Sequence, residues 1–197
     1  TSVSGTIKAE GGVLGGDGGK IETSGDALNF ANAKVSARAF HGHGGLWLLD
    51  PISATTIDSV TASTIVASLS GGSNVEVDSG SDLTVSSPIS ASLSSGDVSL
   101  KLQAANGISI ESPISASGAS NLSLLLTGTT VTQSAPISIN GQMEVVATGA
   151  VNIGMGTTTA SRIFVQTSGD INDGGSLIAN DLQLIGRDVV FDQTHTV

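Results

Sequence analysis

The chain has 197 residues, a net charge of −10 and no cysteine. Its 7 Lys and Arg, set against 17 Asp and Glu, are scattered without a stripe that could neutralise phosphates, which argues against nucleic acid and anionic membrane as partners. A disulfide framework, a thiolate metal site and a Cys nucleophile are excluded, and no apolar run approaches the roughly 20 residues that span a bilayer.

Apolar residues make up 39% of the chain but aromatic residues only 3%, so the core must be built from Ile, Leu, Val and Ala. That material suits thin, regular layers. Abundant Gly and Ser with 12% charge can signal a low-complexity tract. The positive mean hydropathy and the steady supply of aliphatics argue for a folded chain instead.

Residues 1–50 are Gly-rich and irregular. Ile7, Ile21, Leu28 and Val35 fit the inward positions of short strands. Gly15-Gly16-Asp17-Gly18-Gly19 reads as a tight turn in which Gly supplies positive φ. A calcium-binding repeat is the weaker reading, because such loops work in tandem and this one occurs once. His41-Gly42-His43 sets two imidazoles on one side of an extended segment, but no third ligand for a metal is evident. Solvated loop histidines are the plainer reading. Trp47, flanked by Leu46, Leu48 and Leu49, reads as a packing residue at a coil end, with a sugar-stacking platform as the alternative.

Residues 51–197 repeat. Every one of the four prolines is followed by Ile-Ser (Pro51, Pro88, Pro113, Pro136), and the last three are 25 and 23 residues apart. A period of 20 to 50 residues is the signature of a solenoid. Between these markers run alternating segments centred on Leu100, Leu124, Val145, Val165 and Leu184, the pattern of half-buried strands. Shorter strands follow at Ile108–Ile110, Val131, Val151–Ile153, Ile171 and Val189–Phe191. Proline fixes φ and cannot donate to a ladder, so it belongs at a corner or at a strand's first residue. The Ile of each Pro-Ile-Ser should then point inward and stack on the next. Helical periodicity is not evident. The expectation is an all-β, right-handed parallel β-helix of about nine coils of roughly 20–25 residues, continuous from the Gly-rich coils of 1–50 through 51–197. At about 4.8 Å per coil the rod would be about 40 Å long.

Gly15–Gly19, then Ile21-Glu22-Thr23-Ser24-Gly25, then Trp47-Leu48-Leu49-Asp50-Pro51 resemble, in that order, motifs of the filamentous haemagglutinin-like exoproteins of Gram-negative two-partner secretion. The resemblance covers about a quarter of the chain. Lys20 departs from it, since a bulkier apolar or aromatic residue is common at that position. The resemblance implies a right-handed parallel β-helix, export through an outer-membrane secretion partner, and a product on the cell surface or released. The family's N-terminal secretion domain is missing, so the chain reads as an internal segment.

Motifs for a serine hydrolase, a zinc protease, a phosphate loop or a dinucleotide site are absent from the sequence. Asp97, Glu111, Glu144, Asp170, Asp173 and Asp188 are the carboxylates that could converge between coils as in polysaccharide-cleaving β-helices, but their phases in the repeat differ. Asn121-Leu122-Ser123 is the sole glycosylation sequon. No catalytic, cofactor-binding or metal-ligating residue is assigned. The functional expectation is a non-catalytic shaft of an adhesin that grips a host or matrix glycan or protein. The alternative is a structural rod that associates end to end into fibres or a sheath, and a polysaccharide-active enzyme is the minor reading.

Overall fold

A computed structural model describes residues 1–94, 96–153, 156–191 and 195–196, the side chain of Phe191 excepted. The chain winds through short strands in a fixed order. The first coils hold β1 (Gly5–Lys8), β2 (Lys20–Gly25), β3 (Ala33–Ser36), β4 (Leu46–Pro51), β5 (Thr55–Ile57) and one helix, α1 (Ser59–Ser70). Two full three-strand coils follow: β6 (Asn74–Ser79), β7 (Leu83–Val85) and β8 (Ile89–Leu93), then β9 (Val98–Ala104), β10 (Gly107–Ile110) and β11 (Ile114–Gly118). Next come β12 (Leu122–Gly128), β13 (Thr130–Gln133) and β14 (Ile137–Ser138), then β15 (Gln142–Ala147), β16 (Val151–Ile153) and β17 (Thr158–Thr159). The last described strands are β18 (Arg162–Thr167), β19 (Ile171–Asp173), β20 (Leu177–Ile178), β21 (Asp181–Ile185) and β22 (Val189–Phe191).

Strands pair in parallel with their equivalents one coil away, which gives a two-stranded sheet, β1-β3, and three larger faces. Face A is an eight-stranded sheet, β2-β4-β6-β9-β12-β15-β18-β21; face B has seven strands, β5-β7-β10-β13-β16-β19-β22; face C has five, β8-β11-β14-β17-β20. The fold is a parallel β-solenoid of about 7 turns rather than nine. The shortfall has a clear cause. Ile21 stacks on Trp47 and Trp47 on Val75, so the early coils hold 26 and 28 residues, against 20 and 19 where Val145, Val165 and Leu184 stack. Seven steps of about 4.8 Å make face A roughly 34 Å tall.

The Pro-Ile-Ser reading holds for three of its four copies. Ile89, Ile114 and Ile137 are buried and in register on face C, and the column continues through Thr158 and Leu177. The prolines sit just ahead of the strand, and their carbonyls serve the ladder: Pro113 accepts from Ile89 N–H at 3.0 Å and Pro136 from Ile114 N–H at 3.2 Å. Pro51 differs. It is the last residue of β4 on face A, and Ile52 is 69% exposed.

Helix α1 was not anticipated from the sequence, and it stands where face C would have its first strand. Ala62, Ile65, Val66 and Leu69 are spaced three, four and seven apart, an apolar stripe one turn longer than a strand pattern allows. Asp58 caps the start, accepting from Thr61 N–H at 2.9 Å. Gly72, at φ 90°, ends it, with its N–H on the Leu69 carbonyl. The buried side holds Ala62, Ile65 and Leu69 against the core, and Ser68 Oγ donates to the Val35 carbonyl at 2.6 Å.

One connected core runs from Ile21 to Ala179. Leu124 is buried in it as expected, but it stacks between Leu100 and Met143; Val145 lies opposite Leu126. Two of the inward polar positions face each other across the core. Gln133 on face B and Thr158 on face C are fully buried and bond to each other, Gln133 Nε2 donating to Thr158 Oγ1 at 2.7 Å.

Candidate functional site

Face A carries the longest strands and so the widest outward surface. Its alternation puts one residue of every pair outside, and the coil register aligns these into columns. The central column passes through Leu48, Glu76, Lys101, Leu125, Glu144 and Phe164. Lys101 Nζ meets Glu76 Oε1 at 2.7 Å within it. A shallow hollow of about 330 Å³ lies around Lys101, Ser123 and Gln142.

A second, larger trough of about 540 Å³ follows the edge of face A where the chain turns toward face B. Its shape follows from small residues. Ser79, Ala104, Gly128 and Ala147 occupy one register position in four successive rungs, so the backbone bends sharply without side chains filling the angle. The walls carry Asp50, Asp78, Gln103, Thr127, Thr129 and Thr148. Gln103 Nε2 donates to Asp78 Oδ2 at 3.0 Å, which fixes both side chains. Carboxylates, amides and hydroxyls line the trough, with no cation among its lining residues, so its chemistry suits neutral or cationic polar chains over anionic ones.

The residues singled out in the sequence fall apart in space. Asp97 sits in the turn before β9 and accepts from Asn121 N–H at 2.7 Å and Asn121 Nδ2 at 3.2 Å; these bonds hold its carboxyl below the usual range. Glu111 is exposed after β10, and Glu144 faces outward on face A. Asp170 precedes β19 and takes a bidentate contact from Arg187, at 2.9 and 2.7 Å, which depresses its pKa. Asp188 lies one coil on, 4.0 Å from Arg187 Nε. Asp173 points inward on face B and is buried, with His195 Nε2 2.9 Å from its Oδ2 and Gly175 N–H on its Oδ1. These six carboxylates are divided among turns, one outer face and the core.

His41 and His43 are exposed, and the segment is held through its backbone: Asp17 Oδ1 accepts from His43 N–H at 2.7 Å, and Gly18 N–H donates to the His43 carbonyl at 2.9 Å. The Gly15–Gly19 motif is thus a staple between two coils, with Gly15 and Gly16 at φ 142° and 106°. Among the described residues no group of three His, Asp or Glu is placed to hold a metal ion. Trp47 is fully buried, edge-on to Phe30 at 5.2 Å, with Nε1 donating to Thr23 Oγ1 at 3.1 Å. It packs the core and offers no platform to a sugar. Lys20 pairs with Glu22 at 3.2 Å, and Asn121 is exposed.

Sequence reasoning did not find the trough. Alternation tells which residues face outward, but not which coils bring Asp78, Gln103 and Thr127 side by side. No protein-family model, curated protein or solved structure matches the chain.

Proposed function

We propose that the chain is a non-catalytic shaft segment of a secreted adhesin on the surface of a Gram-negative bacterium, exported with an outer-membrane partner, and that face A is its contact surface. The observation that carries the reading is the polar trough beside an eight-rung parallel sheet: coils add surface at low cost in new contacts, and the trough repeats one wall chemistry along them. The resemblance of Gly15–Gly19, Ile21–Gly25 and Trp47–Pro51 to haemagglutinin-like exoproteins supports export and attachment. The test is binding of the purified chain to a panel of glycans and matrix proteins, beside Thr127→Arg, which blocks the trough from an outward position. Saturable binding lost in the variant, with the ligand recovered intact, is expected. Binding that ignores the variant, or turnover abolished by replacing one carboxylate, would overturn it.

A second reading, a rod that stacks into fibres, is favoured by the aliphatics on the last rungs: Ile178, Ile185 and Val190 are 38%, 43% and 45% exposed. Ile178 is bridged to Thr196, but β21 and β22 pair on one side only among the described residues, and such strand edges template pairing with another chain. Sedimentation velocity across a concentration series separates the two, since the adhesin reading expects a constant monomer.

A further inference from the structure

Face B lacks a rung that face A possesses. Its first strand is β5, although the coil containing β2 lies beyond it. After Gly25 that coil swings away to meet the start of the chain: Asn29 N–H donates to the Thr1 carbonyl at 2.9 Å, and Val3 N–H to the Asn29 carbonyl at 2.7 Å. The side of β5 away from β7 is left without a strand among the described residues. Thr55 N–H is spent toward β7, on the Asp82 carbonyl at 2.8 Å, as is the Ile57 carbonyl, which accepts from Ser86 N–H at 3.2 Å. Alternation along a parallel ladder therefore turns the N–H and C=O of Thr56 to the open side.

A pocket of about 280 Å³ opens at this gap, walled by Leu28, Phe30, Leu49, Pro51 and Val77. The segments that frame the open edge, residues 25–31 and 51–61, contain Asp26 and Asp58 and no Lys or Arg. Three features thus coincide: an unpaired edge that continues an established ladder, an apolar cavity of side-chain size, and an acidic frame.

We propose that the open edge of β5 docks an extended peptide segment of a partner protein. Its backbone adds a rung to face B through Thr56, one aliphatic side chain enters the pocket, and flanking Lys or Arg residues meet the aspartates. Strand addition of this kind takes affinity from main-chain bonds and specificity from the pocket. A small apolar ligand would leave the Thr56 groups unused, and an acidic peptide would be repelled by the frame. The pocket shares no lining residue with the trough on face A, and the proposal does not depend on the adhesin reading.

The probe is a fluorescein-labelled peptide, Lys-Thr-Val-Leu-Val-Thr-Lys, followed by anisotropy against the purified chain. Two variants remove separate parts of the site: Ala54→Trp fills the pocket from an exposed position, and Thr56→Pro deletes the outward N–H, a change tolerated on an edge strand. Emission from buried Trp47, read in Thr56→Pro and in Ala54→Phe, which fills the pocket without a second Trp, reports that the variants are folded. Saturable binding that weakens at least tenfold in both variants, falls with added salt, and is lost when the central Leu of the peptide is replaced by Asp is the expected result. Absence of saturable binding at millimolar peptide, or equal affinity in folded wild type and variants, would overturn the proposal. Self-association of the free chain abolished by Thr56→Pro would also overturn it, because the occupant would then be a second copy.

Discussion

The buried Gln133–Thr158 pair gives the sharpest test of how this core is held. Gln133 takes a position on face B that Ile110 and Ile153 fill in the adjoining coils, and Thr158 takes one held by Ile137 and Leu177 on face C. Both side chains are fully buried. Gln133 Nε2 donates to Thr158 Oγ1 at 2.7 Å and to the Ala135 carbonyl at 3.0 Å, while Thr158 Oγ1 donates to Gln133 Oε1 at 3.1 Å. Thr158→Val keeps the volume but strips Oε1 of that donor inside an aliphatic wall, a loss of about 1–3 kcal/mol. For a chain of this length that corresponds to a fall in Tm of roughly 3–9 °C. Adding Gln133→Ile removes the stranded amide and lets the column run apolar from Ile110 to Ile153. The double variant should return to within about 1 kcal/mol of the parent. The assay is a double-mutant cycle by urea denaturation, followed by Trp47 fluorescence. Additive losses, with the double variant less stable than either single one, would refute the view that the two groups are kept chiefly for each other.

Three further outcomes follow from named contacts. Leu124→Asp should cost more than the ~2–5 kcal/mol of a lost core leucine, because it also buries a charge, whereas Ser123→Asp should fall within about 0.5 kcal/mol of the parent; equal denaturation midpoints would refute the inward phase of β12. Asp58→Ala removes the cap on Thr61 N–H and should lower stability by about 1 kcal/mol, with loss of the helical signal of α1 read by circular dichroism. Asp97, Asp170 and Glu10 have depressed folded pKa values, caused first by Asn121 N–H, Arg187 and the Ser36 hydroxyl respectively. Their stabilisation is present above the unfolded carboxylate range and is lost as pH falls through the folded values, so Tm should drop on acidification below about pH 4, and Asp97→Asn should show a shallower drop.

What the sequence revealed and what it hid divide along a physical line. The inward positions of β9, β12, β15 and β18 were legible because a strand's side-chain period of two survives in any coil length. Register was not legible for the same reason: shifting the Leu124 column by two residues keeps every apolar group inside, so Val145 looked as good a neighbour as Met143. Coil number failed where loops and α1 lengthen the early coils. The helix hid because Thr61, Thr64 and Ser68 share its buried side, which blurs the apolar stripe of Ala62, Ile65 and Leu69 into a Ser/Thr-rich background. Pro-Ile-Ser marked the face C corner three times and misled once, at Pro51, where the same tripeptide closes a face A strand. The trough and the open edge of β5 arise from neighbours 19 to 28 residues apart in the chain, and only the stacked register brings them together.

The most direct test of the account is the set of methyl contacts around Leu124 in a methyl-labelled sample studied by nuclear Overhauser spectroscopy. A parallel solenoid with the described register places Leu124 beside Leu100 on one side and Met143 on the other, and Leu126 beside Leu102 and Val145. Cross-peaks for those four pairs, with none in the register of an antiparallel hairpin, are the predicted result. Strong contacts between Leu124 and the antiparallel partners of a hairpin, or no inter-coil methyl contacts at all, would contradict the stacked parallel ladder on which the trough, the open edge and the proposed role all depend.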